Sequence, residues 1–309
     1  MPSRRLRAYL ELIRLPNVFS ALADVLAGWL LTHESLVPLP ILGLLLASSA
    51  ALYSAGMVLN DVFDLAVDAV ERPTRPLPSR RISLGRARSL GYALLLFGMG
   101  FGWFASYVDG GWTSGIVASV LGMAIWSYDA ALKRTALGPC VMGSCRALNI
   151  LLGMSATHGA WLLPHWVVAA GVGVYIAGVT WFARREARES HRWHLAGALV
   201  TMIAGIALLA IFPLIALDVP ESGIYPRFAP SRAWWTLMAI IAALIAWRPL
   251  RAITTPIPQY VQAAVKQCIL SLIVLDAAVC LAVRGPEWAL LILVLLVPAA
   301  LLGRWIYST

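Results

Sequence analysis

The sequence predicts an all-α polytopic membrane protein, a bundle of transmembrane helices. Its composition is the first observation: 60% of the 309 residues are hydrophobic and 13% are charged, against about 45–50% and about 25% in soluble domains. The second observation is that the apolar residues are gathered into long segments. A helix needs about 20 mostly apolar residues to cross a bilayer. A soluble globular, disordered or disulfide-stapled chain is therefore excluded.

Ten segments are long and apolar enough to be candidate spans within one integral membrane domain, residues 1–309. They are 17–33, 38–60, 88–108, 112–131, 138–157, 162–183, 195–217, 233–249, 260–283 and 287–306. The residues before the first span mix charged and apolar positions, and no small-residue cleavage site follows. We interpret them as an amphipathic cytoplasmic lead-in rather than a signal peptide.

Lysine and arginine are distributed unevenly between the two sides of the predicted bundle. With the N-terminus inside, most lie in cytoplasmic segments, and only Arg227, Arg232 and Arg284 lie on the opposite side. Cytoplasmic loops carry such an excess. The bias therefore predicts a multi-pass protein of the inner or plasma membrane whose N-terminus and active-site loops are cytoplasmic. It also accounts for the net charge of +9, and since no nucleic-acid motif accompanies it, we expect no nucleic-acid partner.

Two connections are unusually long and charged, residues 61–87 and 184–194. Both are predicted to be cytoplasmic, and they follow the second and sixth spans. This spacing suggests two halves, residues 1–157 and 158–309, each with its own polar loop.

The strongest chemical signal is an acidic motif at the end of the second span, residues 60–68, which read N-D-V-F-D-L-A-V-D. On a helix, the i, i+3 and i+7 spacing places Asp61, Asp64 and Asp68 on one face. Three aligned carboxylates repel one another unless a cation compensates them. Hard oxygen ligands with room for phosphate suit Mg²⁺, so the motif predicts a magnesium site that bridges to a diphosphate.

The next residues, 72–76, read R-P-T-R-P. The guanidinium groups of Arg72 and Arg75 can hold phosphate oxygens through paired hydrogen bonds, and the two prolines end the helix. An alternative remains open, in which the motif is a solvated helix end whose acids simply pair with these two arginines.

At these residues the chain resembles the UbiA superfamily of intramembrane prenyltransferases, whose first aspartate-rich motif is N-D-x-x-D-x-x-x-D followed by R-P-x-R-P. The R-x-P-N segment at 14–17 and the Y-x-x-x-x-K-R segment at 128–134 are also similar to the family. Together these motifs cover most of the first 155 residues. The resemblance implies a central cavity with a polar mouth and an apolar depth, usually within nine helices. We therefore expect nine or ten spans.

The resemblance also implies a reaction: Mg²⁺-dependent transfer of an isoprenyl group from an allylic polyprenyl diphosphate, for example geranylgeranyl diphosphate, to a small or lipid acceptor, with release of diphosphate. Membrane lipids would surround the enzyme. Carried over to this sequence, the catalytic residues are Asp61, Asp64 and Lys133, the metal ligands are Asp61, Asp64 and Asp68, and the substrate-binding residues include Asn17, Asn60, Arg72, Arg75 and Arg134. For Lys133, an ion pair with Asp129 at i−4 is an open alternative.

The second motif departs from the family, which usually carries D-x-x-x-D after its sixth helix. Residues 181–192 contain no aspartate, and Glu186 and Glu189 are the acids left as candidate metal ligands. Arginines also crowd this segment; Arg185 and Arg188 are candidate substrate-binding residues that would attract diphosphate or an anionic acceptor. The alternative is a positive-inside loop without further function. The divergence is similar to the EboC-like members of the superfamily.

Charged and polar residues inside predicted spans are functional candidates, because burial in lipid is costly without a partner. Asp24, Arg146 and Asn149 should therefore face the bundle interior. Arg146 and Asn149 are candidate substrate-binding residues, although a purely structural pairing is an open alternative. Asp276 requires a partner from another helix.

Two other functions are compatible with a polytopic chain that carries aspartates. A transporter would place its coupling acids near the membrane midplane, whereas the acidic motif lies at a helix end. A CDP-alcohol phosphotransferase-like membrane enzyme would carry D-G-x-x-A-R, which is not found in this sequence.

Overall fold

The computed structural model describes residues 4–184, 190–227 and 230–306, and within these ranges the chain forms helices and no strands. The helices are α1 (Arg4–Leu12), α2 (Leu15–Thr32), α3 (Leu39–Phe63), α4 (Leu65–Glu71), α5 (Leu84–Asp109), α6 (Thr113–Ala130), α7 (Gly138–Met154), α8 (Leu163–Ala183), α9 (Arg192–Asp218), α10 (Arg232–Thr254), α11 (Pro258–Arg284), α12 (Pro286–Leu293) and α13 (Leu296–Trp305).

Each of the ten apolar segments coincides with helical structure, which confirms the all-α polytopic prediction. The last segment is two short helices, α12 and α13, rather than one. Among the described residues, eight helical stretches are long and apolar enough to cross a membrane: α2, α3, α5, α8, α9, α10, α11 and the stretch Pro286–Trp305. The helices α6 and α7 are not among these eight. The exact count of nine or ten spans therefore stays a prediction.

Small residues bring α2 and α7 into close contact. A Cβ atom added to Gly153 would collide with the backbone oxygen of Val25, and one added to Gly28 would collide with that of Ile150. Membrane helices approach this closely where glycine removes the side chain. The contact places polar residues of α2 directly against polar residues of α7.

The helix that carries the acidic motif is broken inside the motif. Helix α3 ends at Phe63, and α4 begins at Leu65. The intervening Asp64 has φ −97° and ψ 7°, which is the sparsely populated bridge region. The three carboxylates are therefore not carried by one regular helix: Asp61 lies on α3, Asp68 on α4, and Asp64 at the break between them. Helix α4 ends before Pro73, as the prolines predict.

Candidate active site

A cavity of about 890 Å³ lies at the end of the bundle where α2 begins and α3 ends. Its volume is within the range of small-molecule sites. Most of the residues that the sequence singled out line it: Asn17, Asn60, Asp64, Asp68, Arg72, Lys133, Arg134, Arg146 and Asn149. Apolar side chains from α3, α6, α8 and α11 also line it. The expected combination of a polar mouth with an apolar wall is therefore present.

One side of the mouth is built around Lys133. Its Nζ lies 2.7 Å from Asp64 Oδ2 and donates a hydrogen bond of 3.1 Å to Asn60 Oδ1. Arg134 lies 3.5 Å from the other Asp64 oxygen. No ion pair between Lys133 and Asp129 is found among the described residues. Helix α6 ends at Ala130 and a 3-10 turn follows at Leu132–Arg134, so the helical i, i+4 geometry does not extend to this pair.

The other two motif carboxylates converge on Arg75. Its Nη1 lies 3.2 Å from Asp61 Oδ1 and 2.7 Å from Asp68 Oδ2. Arg72 is a more distant neighbour of Asp68, at 3.9 Å. Asp61 and Arg75 line a smaller cavity of about 210 Å³ beside the main one. The pairing of the acids with the following arginines is therefore present in this structure.

Arg75 is itself buried in the loop after α4. Burial, and next the charge of Arg14, lower the pKa of Arg75 from its usual value, while Asp61 and Asp68 oppose that change. The two carboxylates thus stabilise a cation that would otherwise be costly to bury. Arg75 in turn fixes the position of Asp68 at the rim of the main cavity.

Arg14 also belongs to the site, although the sequence did not identify it as a site residue. Its Nη2 lies 3.2 Å from Asp61 Oδ1, and it also lines the main cavity. The residue has φ 49° and ψ 50°, a left-handed backbone that costs about 1–3 kcal/mol outside glycine and concentrates at functional sites. Its place in the R-x-P-N segment was the signal that could have identified it.

Further along the cavity wall, α2 and α7 share a buried polar cluster. Arg146 donates to Asp24 Oδ2 at 2.8 Å and to Ser20 Oγ at 2.9 Å. Asn149 donates to the same Asp24 oxygen at 2.9 Å and accepts from Ser49 Oγ at 2.7 Å. These residues face the interior, as their cost in lipid predicted. Asp276 of α11 lies close to Asp24, but neither of its carboxyl oxygens has a hydrogen-bond partner among the described residues.

The divergent second motif lies largely outside the described residues. This holds for Arg185, Glu186, Arg188 and Glu189, whose predicted roles remain predictions. Arg184 is described: it lines the cavity and donates to the backbone oxygen of Thr135 in the connection between α6 and α7. The end of α8 and the acidic motif therefore meet at the same end of the bundle.

The donor set at the mouth fits a hard divalent cation. In the described parts of the chain, no three His, Cys, Asp or Glu side chains are grouped closely enough to hold a metal by themselves. Magnesium, however, is usually bound through one or two carboxylates together with substrate phosphates and water. Asp64 and Asp68 border the same cavity as the Asn60 amide, which meets that requirement.

The chain is similar to several archaeal enzymes over part of its length. It is 36% identical over 156 residues to the digeranylgeranylglyceryl phosphate synthase of Ignicoccus hospitalis, and the aligned region covers 50% of this chain and 49% of that protein. It is 32% identical over 161 residues to the synthase of Sulfurisphaera tokodaii, which covers 51% and 55%. The chain thus matches about half the length of these curated relatives.

Solved structures share the fold over nearly the whole chain. A structure reported for digeranylgeranylglyceryl phosphate synthase has a TM-score of 0.64 at 20% identity, with 91% of this chain and 99% of that chain covered. A UbiA homologue from Archaeoglobus fulgidus, solved with DMAPP and Mg²⁺, has a TM-score of 0.58 at 14% identity, with 85% and 98% covered. At such identities these neighbours establish the fold alone.

The model of the UbiA prenyltransferase family matches residues 21–265. That range includes the acidic motif, the Lys133 side of the mouth and the residues Asp24, Arg146 and Asn149 of the polar cluster between α2 and α7. It also includes most of the helices that surround the cavity. The chain belongs to the UbiA prenyltransferase family and is an integral, multi-pass membrane protein.

Proposed function

We propose that this chain is an intramembrane prenyltransferase that transfers an isoprenyl group from an allylic polyprenyl diphosphate, such as geranylgeranyl diphosphate, to a small or lipid acceptor and releases diphosphate. The observation that supports this most directly is the mouth of the main cavity. There the Asp64 and Asp68 carboxylates, the Asn60 amide and the Lys133 ammonium meet above an apolar wall. A charged headgroup and an apolar tail fit such a cavity together.

The diphosphate end of the isoprenyl donor would be held by the charged and polar residues at the mouth. Asp64, Asp68 and Asn60 would hold Mg²⁺, which when bound supplies positive charge that joins the carboxylates to the diphosphate and stabilises it as it leaves. The Lys133 ammonium group forms an ion pair with Asp64 and can donate a hydrogen bond to a diphosphate oxygen without moving far. Arg72 lines the same mouth. Asp61 acts through Arg75, which orients Asp68.

The apolar wall has a separate task. Leu52, Leu121, Ile125 and Ile269 border the cavity beyond the polar mouth. They exclude water from the allylic carbon, which becomes electron-poor as its bond to oxygen breaks. Without this exclusion, hydrolysis would compete with transfer.

The acceptor is the less defined partner. The relatives are named for a glyceryl phosphate product that carries two geranylgeranyl groups, so an anionic acceptor with one free hydroxyl is our proposal for this chain. Arg185 and Arg188 would neutralise its charge, and Glu186 or Glu189 would hold a second metal ion. We further propose that the two halves, 1–157 and 158–309, close around the cavity, and that the mouth faces the cytoplasm from the inner or plasma membrane.

The experiment uses purified chain in detergent with geranylgeranyl diphosphate and geranylgeranylglyceryl phosphate, with Mg²⁺ or with excess chelator. We expect Mg²⁺-dependent release of diphosphate and a lipid product heavier by one geranylgeranyl group, measured by mass spectrometry. Release of CMP from a CDP-alcohol would favour a phosphotransferase instead. Substrate movement into proteoliposomes without either release would favour a transporter.

A further inference from the structure

One acidic residue in the main cavity has no part in the contacts described above. Asp129 lies one residue before the end of α6 and lines the cavity beside Tyr128 and Lys133. It is 3% exposed. Within the described residues, its carboxyl accepts no hydrogen bond and has no ion pair, because Lys133 is engaged by Asp64 and Asn60.

A buried carboxyl without a donor is costly. Leaving such a group unsatisfied costs about 1–3 kcal/mol, and more when it is charged. Such groups are rare in native structures and are often explained by a catalytic role or by a bound partner. The Asp129 oxygens are not among the fully enclosed side-chain atoms that lack a partner in the described chain; the carboxyl opens into the cavity, where a ligand can supply the missing donor.

The other carboxyls of the cavity are less suited to react with a ligand. Asp64 and Asp68 are within 2.7 Å of cationic groups, and our proposed function assigns them to the metal. Glu71 lies at the exposed rim, at the end of α4. Asp129 combines burial, a position on the cavity wall and an uncommitted carboxyl.

We propose, on the basis of the proposed function, that Asp129 is the general base that takes the proton of an acceptor hydroxyl. In this step the bond between the allylic carbon and the diphosphate oxygen breaks, and its electron pair leaves with diphosphate. A lone pair of the acceptor oxygen forms the new carbon–oxygen bond. The hydroxyl proton passes to the Asp129 carboxylate and then to water at the mouth. The acceptor is therefore an alcohol, and the product is an ether.

The test compares Asp129→Asn with wild type, using geranylgeranyl diphosphate and geranylgeranylglyceryl phosphate as probes. Loss of a general base lowers turnover by about 100- to 10,000-fold, and we expect kcat to fall by that factor while the affinity for the donor changes less than threefold. Asp129→Ala, which removes the carboxyl in a different way, should show the same defect. Asp218→Asn is the matched control, since that aspartate is exposed at the end of α9.

A second acceptor separates catalysis from a structural role. The second acceptor carries fluorine on the carbon next to the one that bears the hydroxyl. The fluorine makes the hydroxyl proton more acidic, so the reaction depends less on a general base. With this acceptor, the ratio of wild-type to Asp129→Asn turnover should be at least tenfold smaller. An unchanged ratio, or turnover of Asp129→Asn within threefold of wild type, would overturn the assignment of Asp129 alone. A wild type that releases no diphosphate with either acceptor would overturn the proposed function and this assignment together.

Discussion

Removal of Arg146 should destabilise the bundle strongly, since it is the cation that compensates a carboxylate inside the helix bundle. Asp24 is 0% exposed, and one of its oxygens receives both the Arg146 and the Asn149 hydrogen bonds. Its other oxygen has no donor among the described residues. Arg146→Met therefore leaves a buried charge with a single amide donor. Breaking a buried ion pair in this way costs about 3–5 kcal/mol, a change of more than 100-fold in the unfolding equilibrium.

The assay is equilibrium unfolding in mixed micelles titrated with sodium dodecyl sulfate and followed by helical circular dichroism. Arg232→Met is the control, because that arginine is exposed at the start of α10. The double variant Arg146→Met with Asp24→Asn should recover part of the loss, since it removes the uncompensated charge as well. An Arg146→Met protein within 1 kcal/mol, about fivefold in the equilibrium constant, of wild type would refute the reasoning.

Three further outcomes are expected. Gly153→Ala should lower the free energy of unfolding by about 1–3 kcal/mol through overpacking, measured in the same titration; Gly43→Ala, whose added Cβ meets nothing within 4 Å, should not, and equal effects would contradict the close α2–α7 contact. Lys133→Met should slow diphosphate release by about 10- to 100-fold, because one charge-assisted contact of about 1.5–3 kcal/mol is lost, and undiminished release would remove Lys133 from the site. Cysteines placed at the exposed positions Ser79 and His191, in a cysteine-free background, should both resist impermeant thiol reagents in intact cells. Labelling of one alone would show that the two loops lie on opposite sides of the membrane.

The helices were predictable because apolar segment length directly reflects the thickness of the membrane core. The number of spans was not: α6 and α7 coincide with predicted segments yet fall outside the eight stretches identified by length and apolarity. The break between α12 and α13 did have a signal in the sequence that the single predicted segment overlooked: Pro298 has no backbone N–H, and its ring crowds the carbonyl of Val294, four residues earlier, where α12 ends. Composition predicts burial, but it does not report where a helix bends.

Within the site, the types of residue were predictable and their pairing was not. The i, i+4 rule predicted an ion pair between Asp129 and Lys133. The 3-10 turn after α6 instead brings Lys133 to Asp64, at the end of the neighbouring α3. The contact between Arg146 and Asp24 joins residues 122 positions apart. It depends on the glycine contact between two helices, and local sequence rules carry no information about such contacts.

The central claim is that the carboxylates at the mouth bind the metal and diphosphate of an isoprenyl donor. The most direct measurement is Mg²⁺-dependent release of diphosphate from geranylgeranyl diphosphate by wild type and by Asp64→Asn, which keeps the size and polarity of the side chain but removes its charge. We predict release by wild type and none above background by a variant that is equally well folded. Full turnover by Asp64→Asn would contradict the account.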